Sequence, residues 1–152
     1  MVTACVDHGV TPPSAQATII ASSVRASYEV CLAQGVGAIT AVHGGAGAQA
    51  AVFFRECTAT VGKIDLKAIV SEYNAQRRRI PGLGHRVHRN DPRRDVLWKL
   101  AEEAKASGAA VGLSRQISSV FKEVAGKDLP INVDGVIGAI VADLGLDPSA
   151  AK

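Results

Sequence analysis

Glycine, histidine and arginine crowd one stretch of the chain, Pro81-Gly-Leu-Gly-His-Arg-Val-His-Arg-Asn-Asp-Pro-Arg-Arg94. His85 and His88 stand there among Arg86, Arg89, Arg93 and Arg94, with Asp91 as the opposing charge. Such a grouping of like charge is costly unless an anion occupies it, so the stretch reads as an anion site holding a proton-handling imidazole. Its plainer alternative is a solvated basic loop. His8, His43, His85 and Asp134 also share a placement: each adjoins a glycine near the edge of an expected helix. An imidazole titrates near neutrality, and a helix N-terminus pushes it toward the neutral form that polarises a carbonyl. A carboxylate in apolar surroundings, as Asp134 is between Val133 and Val136, is a stronger base than one in water. The plain alternatives are a turn histidine and a capping aspartate.

Other chemistries fit these spacings less well. His85 and His88 precede an expected helix rather than lying on it, and no His-Glu-x-x-His or Cys-x-x-Cys pair occurs, so no metal site is expected. Gly82-Leu-Gly84 lacks the third glycine, preceding strand and acidic partner of a dinucleotide fingerprint, although it can let backbone approach a ligand closely. Aromatic residues do not interleave the arginines, which argues against a nucleic-acid surface and for a phosphorylated small molecule.

The elements that must position these groups are helical. Ser14 is expected to cap a helix over 14–34, with Ile20, Val24 and Cys31 on one side and Gly35 closing it. A second small-residue helix is expected over 46–60, carrying Phe53 and Phe54. Asp65 should cap a third, with Leu66, Ile69, Val70 and Tyr73 at helical spacing, running out in Arg77-Arg78-Arg79. Asp91-Pro92 starts a fourth, whose core face should be Val96, Leu97, Leu100, Ala101 and Ala104, ending by Gly108. A fifth is expected over 114–124, stopping at Gly126. Around Asp134-Gly135 a hairpin competes with an apolar helix capped by Asp134; the stripe of Val136, Ile137, Ile140, Val141 and Leu144 favours the helix. The expected class is therefore all-α, in one domain over 1–152.

Composition bounds the rest. The 152 residues are 47% apolar but only 4% aromatic, so small side chains and closely packed helices are expected. A net charge of +3 is too small to imply a nucleic-acid or membrane partner. Neither a signal sequence nor a membrane-length apolar run stands out, giving the expectation of a soluble cytoplasmic protein. Cys5, Cys31 and Cys57, odd in number and widely spaced, read as small buried hydrophobes.

In order along the chain, His43-Gly-Gly-Ala46, Pro81-Gly-Leu-Gly-His-Arg-Val87, Asp91-Pro-Arg93 and Asn132-Val-Asp134 resemble the citrate synthase superfamily. Asp7-His8-Gly9 with Pro13-Ser14 is similar to the family's upstream histidine segment. The form Asn132-Val-Asp-Gly-Val-Ile-Gly138 looks closest to citryl-CoA lyases, including the lyase module of ATP-citrate lyase, whereas His43 is the synthase-like residue at its position.

The resemblance implies a citrate synthase-like helical domain, truncated at both ends relative to the family, acting as a homodimer. It implies no bound cofactor, a CoA thioester as substrate, and oxaloacetate as its partner substrate or product. In that reading Asp134 exchanges a proton with the acetyl methyl group and His43 hydrogen-bonds the thioester oxygen. His85 serves the keto oxygen of oxaloacetate or the tertiary hydroxyl of citryl-CoA. His8 and Arg93, with Arg94 as the alternative, hold the dicarboxylate. Arg89, and behind it Arg77 to Arg79, meet CoA phosphates, with Gly82, Leu83 and Gly84 near the adenine. Citryl-CoA cleavage is the expected direction. The alternatives are a citrate or methylcitrate synthase, and a CoA-binding or subunit-interaction fragment without turnover.

Overall fold

The computed structural model describes residues 1, 3, 9–59, 64–85 and 89–151, and among these it has seven α-helices, the last followed by a short 3-10 turn. Expectations attached to Cys5, His8, Thr60, Arg86 and His88 lie outside the described residues. Among the described residues there is no strand, only isolated bridges at Thr40 with Gly44 and at Leu83 with Ile131. The chain divides into two compact units, Met1–Gly45 and Ala46–Lys152.

The first unit is built on α1 (Pro13–Ser23) and α2 (Tyr28–Gly37), which pack on one another. Sequence periodicity predicted a single helix here. The chain instead turns at Arg25, which takes a left-handed conformation (φ 60°), and restarts at Ser27, the residue before α2. Gly35 lies inside α2 rather than closing a helix: a Cβ there would overlap the Thr18 hydroxyl of α1, so its absence sets how near the two helices come. The break also dissolves the expected apolar face, since Ile20 is 66% and Val24 75% exposed while Cys31 is buried.

The second unit is centred on α7 (Val133–Asp143), whose buried residues run from Val133 through Gly135 to Val141. A helix apolar on all sides must be enclosed, and α7 is in contact with α3 (Ala46–Ala59), α5 (Pro92–Glu103), α6 (Ala109–Ala125) and the turn at Pro148–Ala151. Small residues permit the closest of these contacts. A Cβ on Gly138 would fall 2.6 Å from the Ala51 nitrogen of α3, so the helices meet nearly backbone to backbone. Ala50, Ala51 and Phe54 of α3 are completely buried, with Phe53 and Cys57 nearly so. Burial and the Glu56 charge push the Cys57 thiol up to about 11, which makes it an inert core residue.

α4 (Leu66–Ala75) packs on α6. Asp65 caps it as predicted, accepting the Ala68 N–H at 2.9 Å. α6 starts earlier than its apolar stripe suggested because a partner distant in sequence closes its N-terminus. Asp143 accepts from the N–H groups of Gly108, Ala110 and Val111 at 2.7, 2.9 and 2.9 Å. At its other end, Gly126 takes the left-handed cap conformation that the sequence indicated. α5 buries Leu97 and Ala101, whereas Val96 and Leu100, expected in the core, are 58% and 51% exposed. Its contact face is narrower than the stripe, because Trp98 lies along the edge with its indole N–H donated to the buried Ser114 hydroxyl at 3.0 Å.

Candidate functional site

Asp134 sits in the first turn of α7, half-buried, between buried Val133 and Gly135. It is not the cap that the sequence suggested. Asn132 takes that position, and its Oδ1 accepts the Gly135 N–H at 3.1 Å. The carboxylate therefore lies within the N-terminal turn, where the helix dipole favours negative charge.

The 82–85 loop is fastened to this helix start. The Gly84 N–H donates to Pro130 O at 2.6 Å, and the Asn132 N–H donates to Gly82 O at 2.9 Å, flanking the antiparallel bridge of Leu83 with Ile131. The Asn132 Nδ2 donates to Gly84 O at 2.8 Å. From α6, the Ser118 hydroxyl accepts the Ile131 N–H at 2.9 Å. His85 follows directly on the tethered Gly84 and is half-buried. Two of the predicted catalytic residues, far apart in sequence, thus extend from one pinned backbone assembly.

Gly82 and Gly84 were read as room for a ligand, and the structure separates them. Gly82 (φ 77°) presses on α7 itself, where a Cβ would stand 2.7 Å from the Gly135 nitrogen. The approach it permits is between loop and helix. Gly84 (φ 98°) has only Leu129 at the edge of contact. With Leu83 and His85 it lines an open cleft of about 450 Å³ whose other walls are Arg78, Arg79, Ile80, Phe121 and Leu129. One wall is cationic and the others apolar, a surface suited to a flat or apolar group that carries negative charge. Arg78 also lies 4.3 Å from the centre of the Tyr73 ring. Arg89 is exposed.

Asp91 is the charge that completes this assembly. It is wholly buried, yet its carboxylate accepts from the Arg93 N–H at 3.1 Å, Arg93 Nε at 2.9 Å and Arg93 Nη2 at 2.8 Å. It also accepts the Val133 N–H at 3.1 Å. Burial pushes its carboxyl up, but these hydrogen bonds and the Arg93 charge outweigh that and hold it at about 2. One carboxylate therefore closes the N-termini of both α5 and α7 and fixes the Arg93 guanidinium beside the residue that precedes Asp134. Arg94 turns elsewhere, with its Nε 2.9 Å from Asp95 Oδ1 and its guanidinium 5.2 Å from the Trp98 ring. Of the two candidate arginines, Arg93 is the one joined to α7.

In the first unit, His43 lies in the turn after α2. The Ser14 hydroxyl is 2.9 Å from its Nε2, and the Ser14 N–H donates to the same nitrogen at 3.4 Å. An Nε2 that accepts places the proton of a neutral imidazole on Nδ1. Ser14, expected as a cap, is instead the residue that orients His43; Pro12 occupies the cap position.

Read as sequence, Asn132 has no assigned role, and Asp91 is marked as a helix start and as the charge opposing the arginines, but not as a tie to α7. Asn-x-x-Gly ahead of an apolar helix is a readable capping signal. The bonds to Gly84 and Val133 span 48 and 42 residues, and no local pattern announces them.

This fold has known counterparts. A citryl-CoA lyase from Hydrogenobacter thermophilus superposes with a TM-score of 0.88 at 34% identity, over 97% of this chain and 57% of that one. An ATP citrate lyase from Methanothrix soehngenii, solved in complex with citrate and coenzyme A, gives 0.79 at 26% identity, over 98% of this chain and 24% of that one. ATP-citrate synthase beta chain protein 1 of Arabidopsis thaliana is 29% identical over 143 residues, which are 92% of this chain and 23% of that protein. The chain thus spans little more than half the lyase and about a quarter of the plant protein. The family model described as the citrate synthase C-terminal domain matches residues 1–151, and the chain belongs to that family.

Proposed function

We propose that this chain carries citryl-CoA lyase chemistry, cleaving citryl-CoA reversibly into acetyl-CoA and oxaloacetate. The observation that carries the reading is the pinning of the His85 loop to the first turn of α7 that bears Asp134. The likeness to the lyase from Hydrogenobacter thermophilus supports it. In the cleavage direction His85 takes the proton of the tertiary hydroxyl as the carbon–carbon bond breaks and the keto group of oxaloacetate forms. The bonding pair passes into the enolate of acetyl-CoA, whose oxygen receives a hydrogen bond from His43 Nδ1. Asp134, in its protonated form, delivers its proton to the terminal carbon and becomes the carboxylate that the helix N-terminus favours. Condensation reverses each step. A base and an oxyanion donor are both needed because a thioester α-carbon is a weak acid.

Binding roles are assigned from charge and from the family resemblance. Arg93, held by Asp91, and His8 receive the dicarboxylate. The cleft by Leu83 and Gly84, with Arg78 and Arg79, suits CoA, and Arg89 meets its phosphates. CoA is substrate here, and no separate cofactor is required. The acting form is a homodimer: Ile19, Ile20, Val24, Tyr28, Leu32 and Val36 of α1, α2 and their connection are each between 47% and 76% exposed, an apolar surface that a second copy would cover.

The test uses the purified chain with citryl-CoA, and separately with acetyl-CoA plus oxaloacetate, following oxaloacetate, free thiol and citrate. Release of acetyl-CoA and oxaloacetate from the first mixture supports the lyase. Thiol release with citrate from the second assigns a synthase instead, and CoA binding without turnover assigns a binding fragment. Asp134→Ala should abolish turnover, by about 10³-fold or more, while sparing CoA affinity. Full activity in that variant would exclude Asp134 as the proton carrier.

A further inference from the structure

Asn132 connects the two groups to which the lyase reading gives proton transfer, without belonging to either. Its amide oxygen accepts the Gly135 N–H at 3.1 Å, closing the turn that carries Asp134. Its amide nitrogen donates to Gly84 O at 2.8 Å, on the peptide unit whose other end is the His85 nitrogen. The amide can point only one way, since Gly84 O needs a donor and the Gly135 N–H needs an acceptor.

The second bond matters because of what it restrains. Gly84 has a φ of 98° and only Leu129, at 4.0 Å, near its Cβ position, so no side chain of its own fixes its peptide. Its N–H is held by Pro130 O. On its carbonyl side, a bond from Asn132 orients the plane leading into His85. A swing of that plane would displace the imidazole while leaving the rest of the loop in place.

We propose that Asn132 is a positioning residue that sets the His85 imidazole relative to Asp134, and that this function is separable from its capping of α7. The inference rests on the lyase reading for the roles of His85 and Asp134, but its geometric content does not.

Asn132→Asp makes the separation. A carboxylate caps a helix N-terminus as well as an amide does, so α7 keeps its cap. It cannot donate to Gly84 O, and it sets two acceptors face to face where the donor bond had been. The expected result is a thermal midpoint within about 3 °C of wild type and CoA affinity within about threefold, with kcat reduced roughly 30-fold or more. The His85 ring resonances, assigned by their loss in His85→Gln, should shift. As pH falls, protonation of the introduced carboxyl restores an O–H donor. Activity relative to wild type at each pH should therefore climb toward acid, which a purely structural defect would not produce. Asn132→Ser, which keeps a capping oxygen but is too short to reach Gly84, should lower kcat as well without acid recovery, and it serves as the variant should Asn132→Asp fail to fold. An inactive wild type would refute the lyase reading and leave the His85 resonances to decide the positioning. Unchanged His85 resonances, or unchanged kcat in a wild-type-active background, would overturn the proposal.

Discussion

Replacing Asp91 by alanine should destabilise this protein strongly, and the structure gives the size. The carboxylate is fully buried and serves the Arg93 side chain, the Arg93 N–H and the Val133 N–H. Removing one partner of a buried ion pair costs about 3–5 kcal/mol, because the other charge remains in a poor solvent. Arg93 retains 22% side-chain exposure and can turn partly to water, which favours the lower end. Loss of the α5 cap adds about 1 kcal/mol. The total is roughly 4 kcal/mol, or on the order of 10 °C in melting temperature for a chain of this length.

Acid titration measures the same group differently. Its carboxyl is held at about 2 when folded, against an ordinary value of 3.8. A depressed folded pKa contributes stability that is present above pH 3.8 and is lost as pH falls from there toward 2. The gap corresponds to roughly 2–3 kcal/mol. This is less than the deletion cost because a protonated carboxyl still accepts hydrogen bonds, whereas alanine offers none. Urea unfolding of wild type, Asp91→Ala and Asp91→Asn between pH 2 and 7 tests both figures. Wild type should lose its advantage over Asp91→Asn across pH 4 to 2. A melting temperature of Asp91→Ala within 2 °C of wild type, or identical acid slopes for wild type and Asp91→Asn, would refute the buried-anchor argument.

Two further outcomes follow from the geometry. Gly82→Ala combines an unfavourable positive φ with overlap on the α7 backbone, and should destabilise by roughly 2–4 kcal/mol in denaturant titration; a loss under 0.5 kcal/mol would mean that loop and helix are not in contact. Ser14→Ala removes the hydroxyl beside His43 Nε2, worth about 1–1.5 kcal/mol of orientation, and should lower kcat about tenfold with little change in stability. Unchanged kcat would remove Ser14 from the site.

Helices marked by both a stripe and a punctuation signal were legible in the sequence. Asp65, Asp91-Pro92 and Gly126 each mark an end that the structure keeps, because capping is decided by atoms a few residues apart. The 14–34 stretch misled, since its small residues suit one helix or two; the turn at Arg25 depends on α1 and α2 closing on one another around Gly35, which is a tertiary event. The start of α6 was missed for a similar reason, as its cap, Asp143, comes from another helix.

The site divides along the same line. Histidine or aspartate beside glycine is a local pattern, so His43, His85 and Asp134 could be singled out. What holds the His85 loop to the first turn of α7 is nonlocal. Asn132 reaches back 48 residues and Asp91 forward 42, and neither distance leaves a periodicity to find. Gly82 shows the cost of inferring purpose from a local rule alone: glycine does mark a close approach, but the approaching backbone is Gly135 rather than a ligand. A local pattern marks residues able to do chemistry more readily than the residues that hold them in place, because reactivity belongs to a side-chain type and positioning to a contact.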